Sequence, residues 1–191
     1  MADETKRWEA RENELIPRAQ MGDRGAYADL VCEHQRGVIN VVYRMCGDAQ
    51  LAEDAAQEAF SRAWNRLPGY RPAAPFRSWL YRIAINAALD SLRRQKFEMA
   101  FDMEQFENGD TPESLLAQKE TAEQVRRAVL SLPVASRSVL VLREYEGLSY
   151  REIAEALDIP VGTVMSRLNS ARNTLRSLLR DGVSKKEMRH A

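Results

Sequence analysis

The imidazole and thiol groups of this chain, which serve most often as bases, nucleophiles and zinc ligands, are Cys32, His34, Cys46 and His190. They occur in no HExxH, nucleophile-elbow or paired-cysteine arrangement. Cys32, His34 and Cys46 also fit no ligand spacing typical of zinc. We therefore predict no catalytic residue, no metal site and no cofactor. The histidines are interpreted as surface or packing residues, and the cysteines as buried or half-buried thiols.

A different chemistry, the binding of phosphates and base edges, is indicated near the C-terminal end. The apolar residues there are spaced 3, 4, 3, 4 and 3 apart, which predicts an amphipathic helix: Val161, Val164, Leu168, Ala171, Leu175 and Leu178. The opposite face has no carboxylate and consists of Thr163, Ser166, Arg167, Ser170 and Asn173. Helices that merely face water usually mix Glu with Lys, whereas DNA repels carboxylates. The pattern therefore favours DNA binding.

The preceding segment completes a helix-turn-helix pattern over Tyr150 to Asn169. Ser149 followed by Glu152 is the signature of a capping box at a helix start. Asp158 stands in the turn, where Asp tolerates a left-handed backbone. Ala154 is small enough for a close helix crossing, and Val164 can pack back onto the first helix. A plain αα-hairpin explains these apolar positions equally well, but it does not explain the acid-free face.

Opposite charges are sorted into blocks, although the net charge of the chain is zero. Asp48–Phe60 carries four acids and no base, and Glu98–Glu113 carries six acids and no base. Arg77–Phe97 carries five bases and one acid, and the segment from Val161 to the end carries seven bases and two acids. Such blocks suggest a protein that touches both DNA and a basic protein surface.

Helical periodicity is the only secondary-structure pattern that persists, so we predict an all-α fold. Asp48 is the predicted N-cap of a helix that runs to about Leu67, with Asp54, Gln57, Glu58 and Ser61 on its polar face. Pro68–Pro75 must be a loop because it holds three prolines and a glycine. The next helix is predicted from Pro75 to about Lys96, with a polar stripe at Arg82, Asn86, Asp90 and Arg93.

These elements are predicted to form two small helical domains. The first spans residues 10–97, an acidic linker spans 98–114, the second domain spans 115–180, and a basic, frayed tail spans 181–191. Thr111 and Pro112 are interpreted as the N-cap and first residue of the helix after the linker. No apolar run approaches the ~18–20 residues of a membrane span, and the charged start lacks a secretory signal. We predict a cytoplasmic protein without membrane insertion.

Three segments, in order, resemble a bacterial RNA polymerase sigma factor of the extracytoplasmic-function (ECF) type, group 4 of the sigma-70 family. They are "DAAQEAFSRAWNRL" (Asp54 to Leu67), "FRSWLYRIAINAALDSLRR" (Phe76 to Arg94) and "LREYEGLSYREIAEALDIPVGTVMSRLNSARNTL" (Leu142 to Leu175). The resemblance implies a sigma-2 helical bundle that binds core polymerase and melts the −10 element. It also implies a sigma-4 helix-turn-helix domain that reads the −35 element.

The family's functional positions transfer to residues of this chain by the same resemblance. Core-polymerase binding is implied for Glu53, Asp54, Gln57, Glu58 and Ser61. Contacts to −10 DNA are implied for Tyr70, Arg71, Arg77, Trp79, Arg82, Asn86, Asp90 and Arg93, with Tyr81 as a further ring. Contacts to −35 DNA are implied for Arg143, Thr163, Ser166, Arg167, Asn169, Ser170 and Arg172.

Two positions depart from the family pattern. Met165 and Ser170 stand where many members carry a basic residue. We therefore expect the helix that carries them to enter the groove but not to read the commonest −35 sequence. Fewer basic contacts also predict that DNA binding depends less steeply on salt. The resemblance further implies that the acidic linker threads through the polymerase cleft, while its composition fits a flexible tether equally well. It also implies that an anti-sigma protein holds the chain inactive until a stress or envelope signal.

The alternatives are a stand-alone helix-turn-helix transcriptional regulator and an enzyme. A regulator of the response-regulator kind needs an α/β sensor domain, and residues 1–97 show no alternating strands. An enzyme needs a catalytic motif, and the sequence offers none, so we expect the core polymerase to supply the chemistry.

Overall fold

The computed structural model describes residues 2–72, 75–101 and 116–187, and these residues form helices and turns without a strand. Along the described chain the helices are α1 (Ala2–Gln20), α2 (Arg24–Cys46), α3 (Ala49–Arg66), α4 (Phe76–Phe101), α5 (Leu116–Leu130), α6 (Val134–Leu140), α7 (Tyr150–Leu157) and α8 (Val161–Glu187). Helices α1–α4 form an N-terminal unit and α5–α8 a C-terminal unit, so the all-α, two-unit architecture is confirmed.

Local capping explains where α2 and α3 begin. Asp23 accepts a hydrogen bond from the backbone N–H of Ala26 at 3.0 Å, and Asp48 accepts one from Leu51 at 2.8 Å. Gly47 separates the two helices in a left-handed conformation with φ of 80°, which a residue with a Cβ rarely adopts. The predicted N-cap at Asp48 is therefore confirmed.

Small side chains let α3 pack closely against both α2 and α4. The buried stripe of α3 consists of alanines: Ala52, Ala55, Ala56, Ala59 and Ala63. Because this stripe faces inward, the residues on the other side of the same helix must face outward. The single turn Leu67–Gly69 then leads to the start of α4, where the carbonyl of Pro75 accepts from Ser78 and Trp79.

In the C-terminal unit, the predicted helix-turn-helix geometry is confirmed. Ser149 and Glu152 form a complete capping box at the start of α7. Asp158 ends α7 in the left-handed region with φ of 52°. Ala154 and Val164 are buried where α7 and α8 cross. Before α7, residues Val141–Tyr145 continue α6 as one wider, π-helical turn.

The two units pack on each other and share one hydrophobic core. The buried guanidinium of Arg137 on α6 donates to the carbonyl of Met45, near the C-terminal end of α2, and to Leu132 at 3.0 Å. Arg126 on α5 donates to the carbonyl of Gly47 at 2.8 Å. These two cations therefore complement the partial negative charge at the end of α2.

A second contact joins α4 to the C-terminal unit. The hydroxyl of buried Tyr81 donates to a carboxylate oxygen of Glu146 at 2.6 Å. Gly37 on α2 makes room for it, because a Cβ there would lie 2.6 Å from the Tyr81 hydroxyl oxygen. Burial and the bond to Glu146 raise the pKa of Tyr81.

Two helix ends differ from the sequence prediction. Helix α4 continues to Phe101, into the segment predicted as linker, and α8 continues to Glu187, into the predicted frayed tail. Neither extension contains a proline, so each added residue can contribute a backbone hydrogen bond, and Gly182 within α8 does not end the helix. Thr111, Pro112 and the middle of the acidic linker lie outside the described residues.

No helix among residues 2–72, 75–101 and 116–187 has both the length and the apolar character needed to cross a membrane.

Candidate nucleic-acid and protein interfaces

Helix α3 presents an acidic surface opposite its buried alanines, which we call the α3 face. All five residues implied in protein binding lie on it and are exposed: Glu53, Asp54, Gln57, Glu58 and Ser61. Three of them carry carboxylates, and Asp54 accepts a hydrogen bond from Gln50 at 3.2 Å. The structure therefore gathers these side chains into one surface that suits a basic partner.

A chain of ion pairs connects the α3 face to α4. Arg62 donates to Glu58 at 2.8 Å and to Asp90 on α4 at 2.7 Å. Asp90 also accepts from Arg93 at 3.3 Å. The hydrogen bonds that Arg62 donates raise its pKa, and the bond to Asp90 has a larger effect than the bond to Glu58. Asp90, implied in −10 contacts, thus positions two guanidinium groups.

The polar stripe of α4 lines a cleft between the two units, which we call the interdomain cleft. Arg82, Asn86 and Arg93 lie along it, together with Arg66 from the end of α3. Arg167 from α8 and Asp158 from the turn before it contribute to the lining as well. The cleft has a volume of about 840 Å³. Three side chains implied in −10 contacts and one implied in −35 contacts therefore line the same cavity.

The aromatic rings implied in −10 contacts pack largely inside the N-terminal unit. Tyr70 is only 5% exposed, and its centroid lies 5.6 Å from Phe76 and 5.0 Å from Trp79. Trp79 is half-buried and Tyr81 is buried. Mutual ring packing holds Tyr70 inside, and the contact with Glu146 holds Tyr81 inside. Arg71 is exposed and Arg77 is half-buried.

Helix α8 turns a polar surface outward, which we call the α8 face. Ser166, Asn169 and Ser170 are exposed on it, and Thr163 is half-buried beside it. The hydroxyl of Ser166 donates to the carbonyl of Thr163 at 3.1 Å. From Val161 to Arg180 the sequence has no carboxylate, so a polyanion could approach this surface without repulsion.

Two of the three arginines implied in −35 contacts bond within the molecule, and the third lines the interdomain cleft. Arg167 is half-buried and lines the interdomain cleft. Arg172 donates through Nε to Glu144 at 3.0 Å. Arg143 donates to the carbonyl of Leu148 at 2.8 Å and lies over the ring of Tyr150. Arg143 and Arg172 therefore already have partners within the C-terminal unit, whereas neutral polar residues of the α8 face are exposed.

Within the described ranges, no group of three or more His, Cys, Asp or Glu residues could hold a metal ion. His34 is buried and bonds Glu12 at 2.7 Å. Cys46 is half-buried, and burial raises the pKa of its thiol to about 11. Cys32, in contrast, is exposed. The prediction of a buried or half-buried thiol is thus confirmed for Cys46 and wrong for Cys32.

Sequence reasoning missed the residues that join the two units. The sequence did not predict contacts for Arg126, Arg137 or Glu146, because their partners lie far away in the chain. One signal was present, since Gly37 in the middle of a helix indicates close approach by another group. Arg62 and Arg66 were also overlooked, although they extend the polar stripe of α4.

The sequence matches the Sigma-70 region 2 family over residues 30–98 and the Sigma-70 region 4 family over residues 122–175. The first match covers most of α2–α4, and the second covers most of α5–α8. The chain is thus similar to two regions of the same protein family.

Several sigma factors are similar to this chain over most of its length. The chain is 38% identical to the ECF RNA polymerase sigma-E factor of Escherichia coli K12, over 84% of this chain and 90% of that protein. It is 36% identical to the ECF RNA polymerase sigma factor SigW of Bacillus subtilis, over 87% of this chain and 95% of that protein. It is 37% identical to the RNA polymerase sigma-H factor of Pseudomonas aeruginosa, over 86% of this chain and 91% of that protein.

Solved structures agree with this assignment. CnrH, in complex with the cytosolic domain of CnrY, superimposes with a TM-score of 0.70 at 27% identity, over 90% of this chain and 98% of that one. The sigma factor RpoE of Bartonella quintana, in complex with the anti-sigma factor NepR, shares the fold with a TM-score of 0.68, over 81% of this chain and 96% of that one, at 20% identity. Taken with the two matched regions and the identity to full-length relatives, this shows that the chain belongs to the ECF sigma factors of the sigma-70 family.

Proposed function

We propose that this chain binds core RNA polymerase and directs promoter-specific initiation of transcription. One observation carries the proposal: a single chain joins matches to sigma-70 regions 2 and 4, and the candidate surface of each region carries no charge that would repel its partner. The α3 face is acidic, and the α8 face has no carboxylate. A stand-alone regulator would have no use for region 2.

The α3 face is proposed as the polymerase contact. Carboxylates at Glu53, Asp54 and Glu58 would be repelled by DNA phosphates and attracted to a basic protein surface. The exposure of these residues on one helix supports this assignment. By analogy with the family, the partner is the coiled coil of the largest catalytic subunit.

The α4 stripe and the α8 face are proposed as the promoter contacts. Arg82, Asn86 and Arg93 would follow the −10 strand, where guanidinium groups and rings hold unstacked bases. The first turns of α8 would enter the major groove of the −35 element, as a recognition helix does. Extruding a base costs a few kcal/mol, which stacking and a fitted pocket can offset, so no nucleotide hydrolysis is required.

The cellular setting follows from the family. The solved relatives CnrH and RpoE are bound to CnrY and to the anti-sigma factor NepR, and we propose that an anti-sigma protein likewise controls this chain during a stress or envelope response. The site of action would be the cytoplasm, where the polymerase works. The chain itself would not be an enzyme, since polymerisation belongs to the core.

Gel filtration followed by run-off transcription tests the proposed function. The full chain, mixed with core RNA polymerase, should co-elute with it and should start transcripts from members of a randomised promoter library. A stand-alone regulator would bind DNA but elute apart from the core. If the chain neither joins the core nor supports a transcript from any promoter, the proposed function is wrong.

A further inference from the structure

We infer that Met165 determines promoter specificity by contacting the C5 methyl group of a thymine in the −35 element. This inference rests on the proposed function, because it concerns how the α8 face reads the major groove. The base edges of that groove distinguish all four base pairs, and thymine alone presents a methyl group there.

Met165 is a large apolar side chain that remains 54% exposed. Isolated exposed apolar residues are common on protein surfaces, so its position is the informative feature. Gly162, three residues before Met165, and Asn169, four residues after it, are exposed on the same side of α8. Ser166, the next residue, is exposed as well. Gly162 has no heavy atom within 4 Å of the place where a Cβ would stand. The surface next to Met165 is therefore open at Gly162.

The charged groups near Met165 are less suited to base reading. Guanine is read most often by a bidentate Arg or Lys. Arg172 is bonded to Glu144, and Arg167, two residues from Met165, projects from a different side of α8. The accessible part of the α8 face thus consists of an apolar thioether chain among neutral polar groups, which favours a methyl group over the O6 and N7 atoms of guanine.

Asn169 strengthens the preference for an A·T pair. It is exposed one turn beyond Met165, and a carboxamide can form a bidentate pair with N6 and N7 of adenine. Val161, 39% exposed one turn before Met165, extends the apolar strip. A strip of this kind predicts a −35 element in which a thymine methyl contacts Met165 and an adjacent adenine contacts Asn169.

Uracil substitution tests the inference because it removes the methyl group and leaves the hydrogen-bonding edges unchanged. Holoenzyme assembled from core polymerase and the full chain would first select a −35 element from a randomised library. Each thymine of the selected element would then be replaced singly by uracil, and holoenzyme binding would be measured by competition. We expect about fourfold weaker binding at one position at least, as for one buried methyl group.

Met165→Ala should bind the thymine and uracil forms equally at that position, and Met165→Arg should shift selection there toward guanine. Met21→Ala is the matched control, since Met21 is 82% exposed between α1 and α2, and it should keep the discrimination. The inference is overturned if the wild-type chain distinguishes no thymine from uracil, or if Met165→Ala keeps the distinction. Failure to select any promoter would instead overturn the proposed function together with the inference.

Discussion

Residues of one type have different chemistry in this molecule because their surroundings differ. The thiol of Cys32 is exposed, whereas that of Cys46 lies half-buried where α2 ends beneath the C-terminal unit. Burial withholds water from the thiolate, and this raises the pKa of Cys46. The rings divide in the same way, since Tyr70 is buried in an aromatic cluster while Tyr145 is 42% exposed under the guanidinium of Arg44.

The two cysteines should therefore differ in reactivity. A pKa of about 11 in place of 9.0 makes the reactive thiolate of Cys46 about 100 times scarcer at neutral pH. We expect iodoacetamide at pH 8 to alkylate Cys32 and to leave Cys46 intact, as measured by mass spectrometry of peptides. Modification of Cys46 should increase as the pH rises toward 11, and in urea both thiols should react. Equal rates for both thiols in the native chain would contradict this assignment.

At the scale of an element, α3 and α8 each have one face buried in the core and an opposite face that is exposed. The alanines of α3 and the residues Val164, Leu168 and Ala171 of α8 are buried, which fixes the direction of the opposite faces. Helix α7 holds α8 at a fixed angle, and its own start is set by the Ser149–Glu152 capping box. Changes on the free faces should affect binding, whereas changes at caps should affect stability.

Asp54→Lys should weaken core-polymerase binding, by roughly tenfold or about 1.4 kcal/mol, because it places a cation where the α3 face needs a carboxylate. Asp54 is preferable to Glu58 for this test, since Glu58 also holds Arg62. Fluorescence anisotropy of labelled chain against core polymerase measures the change. Glu33→Lys, which alters an exposed carboxylate on α2, should leave the affinity unchanged. Equal losses for both variants would argue against a specific α3 contact.

Ser149→Ala should lower the free energy of unfolding by about 1 kcal/mol. The Ser149 hydroxyl accepts the backbone N–H of Glu152 at 3.3 Å, and the Glu152 carboxylate accepts the N–H of Ser149 at 2.7 Å. Removing the hydroxyl leaves one donor without its capping partner. Urea unfolding followed by circular dichroism gives the difference. Ser177→Ala, at an exposed site within α8, should change stability little, and a larger loss there would count against the capping argument.

At the scale of the whole molecule, the two units are held in one closed arrangement. Arg126 and Arg137 bond the carbonyls of Gly47 and Met45, and Tyr81 bonds Glu146. Leu130 fits against Gly47, where a Cβ would lie 2.5 Å from its Cδ1. In this arrangement Arg82, Asn86, Arg93 and Arg167 share the interdomain cleft, so we expect the units to separate when the −10 and −35 elements are bound together.

Tyr81→Phe should loosen this closed arrangement. The hydroxyl bonds a charged carboxylate, and a hydrogen bond of that kind contributes about 1.5–3 kcal/mol. We expect a lower free energy of unfolding by that amount and a larger radius of gyration in small-angle X-ray scattering. Tyr150→Phe removes a hydroxyl within the C-terminal unit and should leave the radius of gyration unchanged. A radius unaltered by Tyr81→Phe would mean that this bond does not hold the units together.

The sequence by itself determined the features that depend on near neighbours along the chain. The N-cap at Asp48, the capping box of Ser149 and Glu152, and the left-handed turn at Asp158 were all predicted, because each needs only residues within one helical turn. The inward and outward faces of α3 and α8 followed from helical periodicity. The ECF sigma assignment followed from motifs that are contiguous in the sequence.

Only the tertiary structure decided which of the predicted contact residues are buried or paired with other side chains of the chain. Partners distant in sequence bury Tyr81, pair Arg62 with Asp90 and Arg172 with Glu144, and place Arg167 in the interdomain cleft. Such contacts arise from how two helical units close on each other, and periodicity within one helix carries no information about that closure. The physical reason is that helix formation is local, whereas desolvation and ion pairing depend on whatever the folded chain brings within a few ångströms.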